Sequence, residues 1–207
     1  MSGEHRPAVV FAGRCDVTQR GAHEAALMVR GAGTAREVHL IVNGAPPETV
    51  NAARRLLSRV AGRAVEVRPH TGDKQAQKEG IRTADVVLVT CRDEKVGLTA
   101  LDAMVAEVPV LMPDSCGVGR FLVESGRFEP RLTAHSVLRR EDGAAAPVER
   151  WTTELAEVLD DPATAKRRAA ELREALVTEL RTLQGAGESA ADLVKAILAV
   201  RGGSGDD

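Results

Sequence analysis

The stretch that decides the fold is Ala84 to Val123, ADVVLVTCRDEKVGLTALDAMVAEVPVLMPDSCGVGRFLV. It reads strand, loop, helix, strand, loop, helix. Val86 to Val89 is a short β-branched run, the pattern of a strand buried on both faces. Leu98, Leu101, Met104 and Val105 then recur at helical spacing and are expected to form the buried stripe. Val108 to Met112 is a second buried strand with Pro109 at its start, and Gly117 and Gly119 are expected to precede the next helix. Glu94 and Gly97 stand between strand and helix, and Asp102 lies one turn into that helix. A glycine just before a helix lets a ligand approach backbone N–H groups at the positive helix end, which suits a phosphate. The stretch points to a nucleotide-phosphate site on an α/β sheet.

Working outward toward the N-terminus, strands and helices alternate. Ala8 to Ala12 is an apolar strand followed at once by Gly13-Arg14, and Ala22 to Arg30 is a helical stretch. Val38 to Val42 is a strand closed by Asn43-Gly44. Pro46 and Pro47 introduce a helix over Glu48 to Val60, with Val50, Leu56, Leu57 and Val60 as its buried stripe. Ala64 to Arg68 alternates as a half-buried strand, and Asp73 to Ile81 is polar enough for a surface helix. Five strands separated by helices predict an α/β fold, a doubly wound parallel sheet of Rossmann-like type. The order 3-2-1-4-5 would set the ends of the Ala8 and Val86 strands side by side, at the switch point where such sheets bind ligands.

Glu94, seven residues, then Asp102, with Gly97-Leu98 between and Val108-Pro109-Val110 after, resembles the donor-site signature of family-4-type GT-B glycosyltransferases. Gly13-Arg14 through Arg20-Gly21 resembles the first-loop element of the same family, with Arg20 where Lys is common. The resemblance implies half of a GT-B fold with extra C-terminal helices, and a nucleoside diphosphate or nucleotide-sugar as ligand with no other cofactor. It implies Glu94 as the catalytic residue facing the donor sugar and Asp102 on the ribose hydroxyls. It places the diphosphate on Arg14, Arg20, Lys95 and the Gly97-Leu98 backbone beside Gly13, and the base near Arg68 and His70. Three departures stand out: Asp102 is one methylene shorter than the usual Glu, Lys95-Val96 replaces Gly-Phe, and Glu107 replaces the Gly that ends this helix. A side chain there costs about 1 kcal/mol if its φ must be positive.

Each of these residues also has a plainer reading. Two arginines in a polar loop can be merely solvated, Glu94 can simply favour a helix start, and Asp102 can be an exposed helix residue. Lys95 can add charge beside a diphosphate or occupy the space a sugar needs.

Composition excludes other classes. Aromatic residues make up 2% of the chain and Tyr is missing, which disfavours a base-stacking nucleic-acid surface. The net charge of −2 implies no polyanion partner. No apolar run approaches the ~20 residues of a membrane span, and the start of the chain lacks a signal-peptide pattern. Cys15, Cys91 and Cys116 are odd in number and well separated, so a reducing, cytoplasmic compartment is the simplest expectation. All three follow strands, yet no C-x-x-C or H-x-x-x-H spacing supports a metal site; small residues lining a cleft is the simpler reading.

Past Val123, Arg131 to Leu138 holds a short sixth strand and Val148 to Leu159 a helix with Trp151, Leu155, Val158 and Leu159 inward. Asp160-Asp161-Pro162 breaks it, and a long helix follows to about Leu183 with Leu172, Leu176 and Leu180 in line. The sequence thus divides into a nucleotide-sugar-binding domain over 7–184, a C-terminal helix over 185–200 after Gly185-Ala186-Gly187, and a disordered tail over 201–207. Leu193, Val194, Ile197 and Leu198 form an apolar stripe too short to hold a helix alone, so that segment is expected to dock on its own sheet or across a homodimer. The resemblance covers one half of a GT-B architecture. It implies a glycosyltransferase-like donor half completed by a separate acceptor-domain protein. The alternative is a non-catalytic nucleotide or nucleotide-sugar sensor, or an interaction module working with an effector, like those in multidomain immune and signalling proteins.

Overall fold

The computed structural model describes residues 6–13, 20–32, 37–90, 96–139 and 147–185. Six parallel strands form one sheet in the order β3-β2-β1-β4-β5-β6. The strands are β1 (Ala8–Ala12), β2 (His39–Ala45), β3 (Val65–Pro69), β4 (Val86–Leu88), β5 (Val110–Pro113) and β6 (Val137–Leu138). The order matches the expected one, with the short sixth strand added outside β5.

Side-chain alternation divides the core into two layers, because successive residues of a strand face opposite sides. Val9, Phe11, Leu40, Val42, Val86 and Leu88 pack with α1 (Arg20–Ala32), α2 (Val50–Ala61) and α7 (Val148–Asp160). Val10, Ile41, Val87 and Val89 pack on the other side, with α3 (Lys74–Arg82), α4 (Leu98–Val105), α5 (Gly117–Glu124) and α8 (Pro162–Gly185). The short α6 (Pro130–Thr133) leads into β6. Trp151, Leu155 and Leu159 of α7 are buried as expected, and Leu172 and Leu176 of α8 likewise.

Helix signals fall where their chemistry requires. The Asp73 carboxylate accepts from the N–H groups of Gln75 and Ala76 at 2.9 and 3.1 Å, which starts α3. Asp161 separates α7 from α8 and accepts from Thr164 N–H at 3.0 Å, with Pro162 opening the new helix. Glu107 takes φ = 57°, the one positive φ outside glycine among the described residues. The chain therefore carries the predicted strain at the end of α4. Arg173 of α8 braces this end, its Nε donating to Val105 O at 3.2 Å and Nη1 lying 3.3 Å from the Glu107 carboxylate.

Four details differ from the expectation. Leu98 and Val105 are 60% and 58% exposed; α4 buries Ala100 and Ala103 beside the expected Met104, because it approaches the sheet closely on its small residues. Leu56 of α2 is 37% exposed, while Ala53, Leu57 and Ala61 are buried. Strand β2 continues through Asn43-Gly44 to Ala45, the irregular step against β3 being absorbed by Gly44 at φ = 111°. Gly117 and Gly119 lie inside α5 rather than before it. A Cβ at 119 would sit 2.2 Å from Pro113 O, so only glycine lets α5 approach the end of β5 so closely. At the C-terminal end, α8 runs through Gly185, the first residue of the expected separator; the proposed last helix and tail lie outside the described residues.

Candidate functional site

The carboxyl ends of β1, β2 and β3, together with α3 and α4, enclose a cleft of about 410 Å³. The sheet order changes direction between β1 and β4, so their outgoing chains diverge and leave the crevice between them. Gly13 follows β1, its N–H reaching Asn43 O at 3.4 Å. A Cβ at 13 would meet the Phe11 ring at 3.1 Å, a tight fit beside the cleft that Gly13 lines. Beside it, the buried Thr90 hydroxyl donates to Gly21 O at 2.8 Å, fastening the first turn of α1 to the end of β4. This bond ties the start of α1 to the chain just past β4.

Helix α4 begins at Gly97, which adopts φ = 88°. Among the described residues no side chain caps this helix start. The turn is fixed from behind, where Val118 N–H donates to Val96 O at 2.9 Å. Leu98, solvent-exposed, and then Thr99 follow Gly97, and Thr99 and Asp102 project from α4 onto the cleft. By contrast, α5 is closed by its own residue: Cys116 Sγ accepts from Gly119 N–H at 3.3 Å and is fully buried. Cys116 thus supports the rim from inside and does not line the cleft.

The opposite wall comes from β3 and α3. Arg68 Nε donates to Glu66 Oε1 at 2.7 Å, and the other Glu66 oxygen lies 3.1 Å from His39 Nε2. Arg68 and His70 both line the cleft, with Pro69 between them. Gln77 and Ile81, one turn apart on α3, complete that wall.

Of the residues expected at the site, the cleft gathers Gly13, Arg68, His70 and Asp102, with Gly97 and Leu98 immediately before the lining residue Thr99. Arg20 opens α1 with its backbone. Its side chain, and Arg14, Glu94 and Lys95 entirely, lie outside the described residues, as do Cys15 and Cys91. Asn43, Gln77 and Thr99 line the cleft without having been singled out in the sequence. Asn43 had a legible signal, a polar residue ending an apolar strand; Gln77 and Thr99 had none. The one group with metal-ligating atoms in mutual reach among the described residues is His135, Glu154 and Glu157, which is not part of the cleft lining.

A six-stranded parallel sheet with a crevice at its order reversal and helices α7 and α8 closing the back defines the class, a Rossmann-like half of a GT-B fold. The family model for "Family 4 Glycosyltransferase in conflict systems" matches residues 1–189, and the chain belongs to that family. Solved structures share the fold. The C-terminal domain of a glycosyl transferase group 1 family protein (LpcC) from Francisella tularensis matches with a TM-score of 0.62 at 14% identity, over 83% of this chain and 85% of that one. The catalytic domain of cholesterol-alpha-glucosyltransferase from Helicobacter pylori gives 0.59 at 13% identity, over 84% and 99%. WaaG, a glycosyltransferase involved in lipopolysaccharide biosynthesis, gives 0.64 at 19% identity, over 97% of this chain but 48% of its own. No curated protein sequence matches this chain. Among the described residues no helix is long and apolar enough to cross a membrane.

Proposed function

We propose that the chain binds a nucleoside diphosphate or nucleotide-sugar in this cleft, as the donor half of a retaining sugar transferase. The observation that carries the reading is the start of α4, opened by Gly97 at positive φ without a side-chain cap among the described residues, beside Asp102 in the cleft. Its N–H groups and the helix dipole favour an anion, which the diphosphate supplies. Arg14 and Arg20 add permanently charged donors suited to phosphate oxygens. Asp102 takes the ribose hydroxyls and Glu94 faces the sugar. Transfer requires an acceptor held against the anomeric carbon with water excluded, so a second half must supply that wall.

A sensor that binds the same ligand without transferring it is the second reading, favoured by the family's placement in conflict systems. Calorimetric titration with UDP, GDP, ADP and their sugar conjugates tests the shared premise. Arg14→Ala, Arg20→Ala and Asp102→Ala should each weaken the best ligand about tenfold, the equivalent of roughly 1.4 kcal/mol. Unchanged affinity in all three would move the site elsewhere. Robust sugar transfer to a defined acceptor by the purified chain would show that no second half is needed.

A further inference from the structure

We propose that His135, Glu154 and Glu157 form a zinc site, away from the cleft, that ties α7 to the turn before β6. The ligating atoms of the three side chains all lie within 4.8 Å of one another. Two separate segments supply them. Glu154 and Glu157 stand three residues apart on α7, so they project from the same side of that helix. Trp151, Leu155 and Leu159 bury the opposite side and fix where α7 lies. His135 belongs to the turn between α6 and β6, and the backbone is pinned on both sides of it. Ala134 N–H donates to Pro130 O and Ser136 N–H to Thr133 O, each at 3.0 Å, while Ser136 O accepts from Met112 N–H of β5 at 2.8 Å. Neither segment therefore has to move to bring its ligands together.

The charges around these residues point the same way. Elsewhere on the surface acidic side chains are matched by arginines: Glu66 by Arg68, Glu107 by Arg173, Glu129 by Arg131 and Glu179 by Arg127. Among the described residues no Lys or Arg pairs with Glu154 or Glu157. Two carboxylates in mutual reach repel each other unless they share a cation. His135 Nδ1 lies 3.8 Å from Glu154 Oε2, too far for a hydrogen bond. Zinc bonds of about 2.0–2.1 Å at a tetrahedral angle set neighbouring ligand atoms about 3.4 Å apart, so small side-chain rotations close this group around an ion. One imidazole nitrogen with two carboxylate oxygens suits zinc, whereas magnesium and calcium take oxygen alone. Glu154 is half-buried and Glu157 exposed, which leaves the fourth position to water. Such an ion joins the turn before the edge strand to the helix that packs behind the sheet, and so closes a loop of the chain.

The test is titration of the full, chelator-stripped chain with zinc chloride against a chromophoric chelator, with thermal unfolding in parallel. Zinc should bind one ion per chain in the micromolar range and raise the melting temperature by about 5 °C when in excess. Glu154→Gln and His135→Gln should each weaken zinc by about tenfold or more and abolish the thermal shift, while Glu149→Gln on the same helix changes neither. In EDTA all three variants should melt within about 2 °C of the parent, because these are surface substitutions. Magnesium and calcium chloride should bind about tenfold more weakly than zinc or not at all. No zinc binding overturns the proposal, as does equal binding of calcium or magnesium. Zinc binding that survives Glu154→Gln and His135→Gln, as sulfur ligation by Cys15 or Cys91 would give, also overturns it. None of these outcomes bears on the nucleotide reading of the cleft.

Discussion

Two helix starts on the same side of the sheet are built in opposite ways. Helix α3 satisfies its own first N–H groups with the Asp73 carboxylate, and α8 does the same with Asp161. Helix α4 starts instead at a left-handed glycine with no side-chain cap among the described residues. A self-capped start is worth about 1 kcal/mol to its helix. It is also closed to an external anion, since the cap occupies the N–H groups a phosphate would use. The starts of α2 and α7 also lack a side-chain cap, so the ligand role proposed for the α4 start rests equally on its place beside the cleft.

The largest expected effect probes the closed kind at α5. Gly119→Ala drives a Cβ to 2.2 Å from Pro113 O, and a loss of about 3 kcal/mol is expected in urea unfolding. A variant as stable as the parent would show that α5 can back away from β5, and that its tight start is not structural.

Next comes the open start itself. Gly97→Ala places a side chain at φ = 88° and should cost roughly 1–2 kcal/mol while also weakening nucleotide binding. Asp73→Ala at α3 should cost about 1 kcal/mol and leave binding in place. Titration and thermal unfolding of the two variants, run in parallel, check the contrast. If both lose the ligand alike, the distinction between the two helix starts collapses.

Smaller effects sit at helix ends and in the acid range. Glu107→Gly removes the strain at φ = 57° but gives up the exposed contact with Arg173, so a net gain of about 0.5 kcal/mol is expected by urea titration. Asp161 is held below the usual carboxylate range by hydrogen bonds from the Thr164 hydroxyl and then its N–H. Its contribution is therefore complete above the ordinary carboxylate pKa and fades as pH falls through the lowered value. Asp161→Asn keeps a capping oxygen but cannot titrate, so its stability should fall less steeply with acid; identical acid profiles would remove Asp161 from the account.

The legible parts of this molecule were those where one residue type has one use. Asp160-Asp161-Pro162 could only break a helix, and the β-branched runs could only be buried strands. Glu107 announced its positive φ because a glycine was expected there. Reading failed where small residues carry the packing. In α4, Ala100 and Ala103 face the sheet, and larger Leu98 and Val105 on other faces looked like the stripe. In α5, glycines that read as the lead-in to the helix lie buried inside it for close approach to β5. The cleft was half legible. Gly13 and Gly97 belong to patterned loops and Asp102 to the helix that follows, whereas Gln77 and Thr99 are ordinary polar residues until a third dimension brings them to the same cleft as Asn43 and Arg68.

The bond from Thr90 to Gly21 also restricts how this sequence can change over generations. A methyl group at position 21 would arrive 2.9 Å from the Thr90 hydroxyl oxygen, inside a region where Thr90 is 3% exposed. Shrinking position 90 alone would remove the hydroxyl that ties the carbonyl of residue 21 to the chain past β4. Neither step is favourable by itself, so the two positions, 69 residues apart, should drift as a pair and leave a correlated record across descendants of this gene.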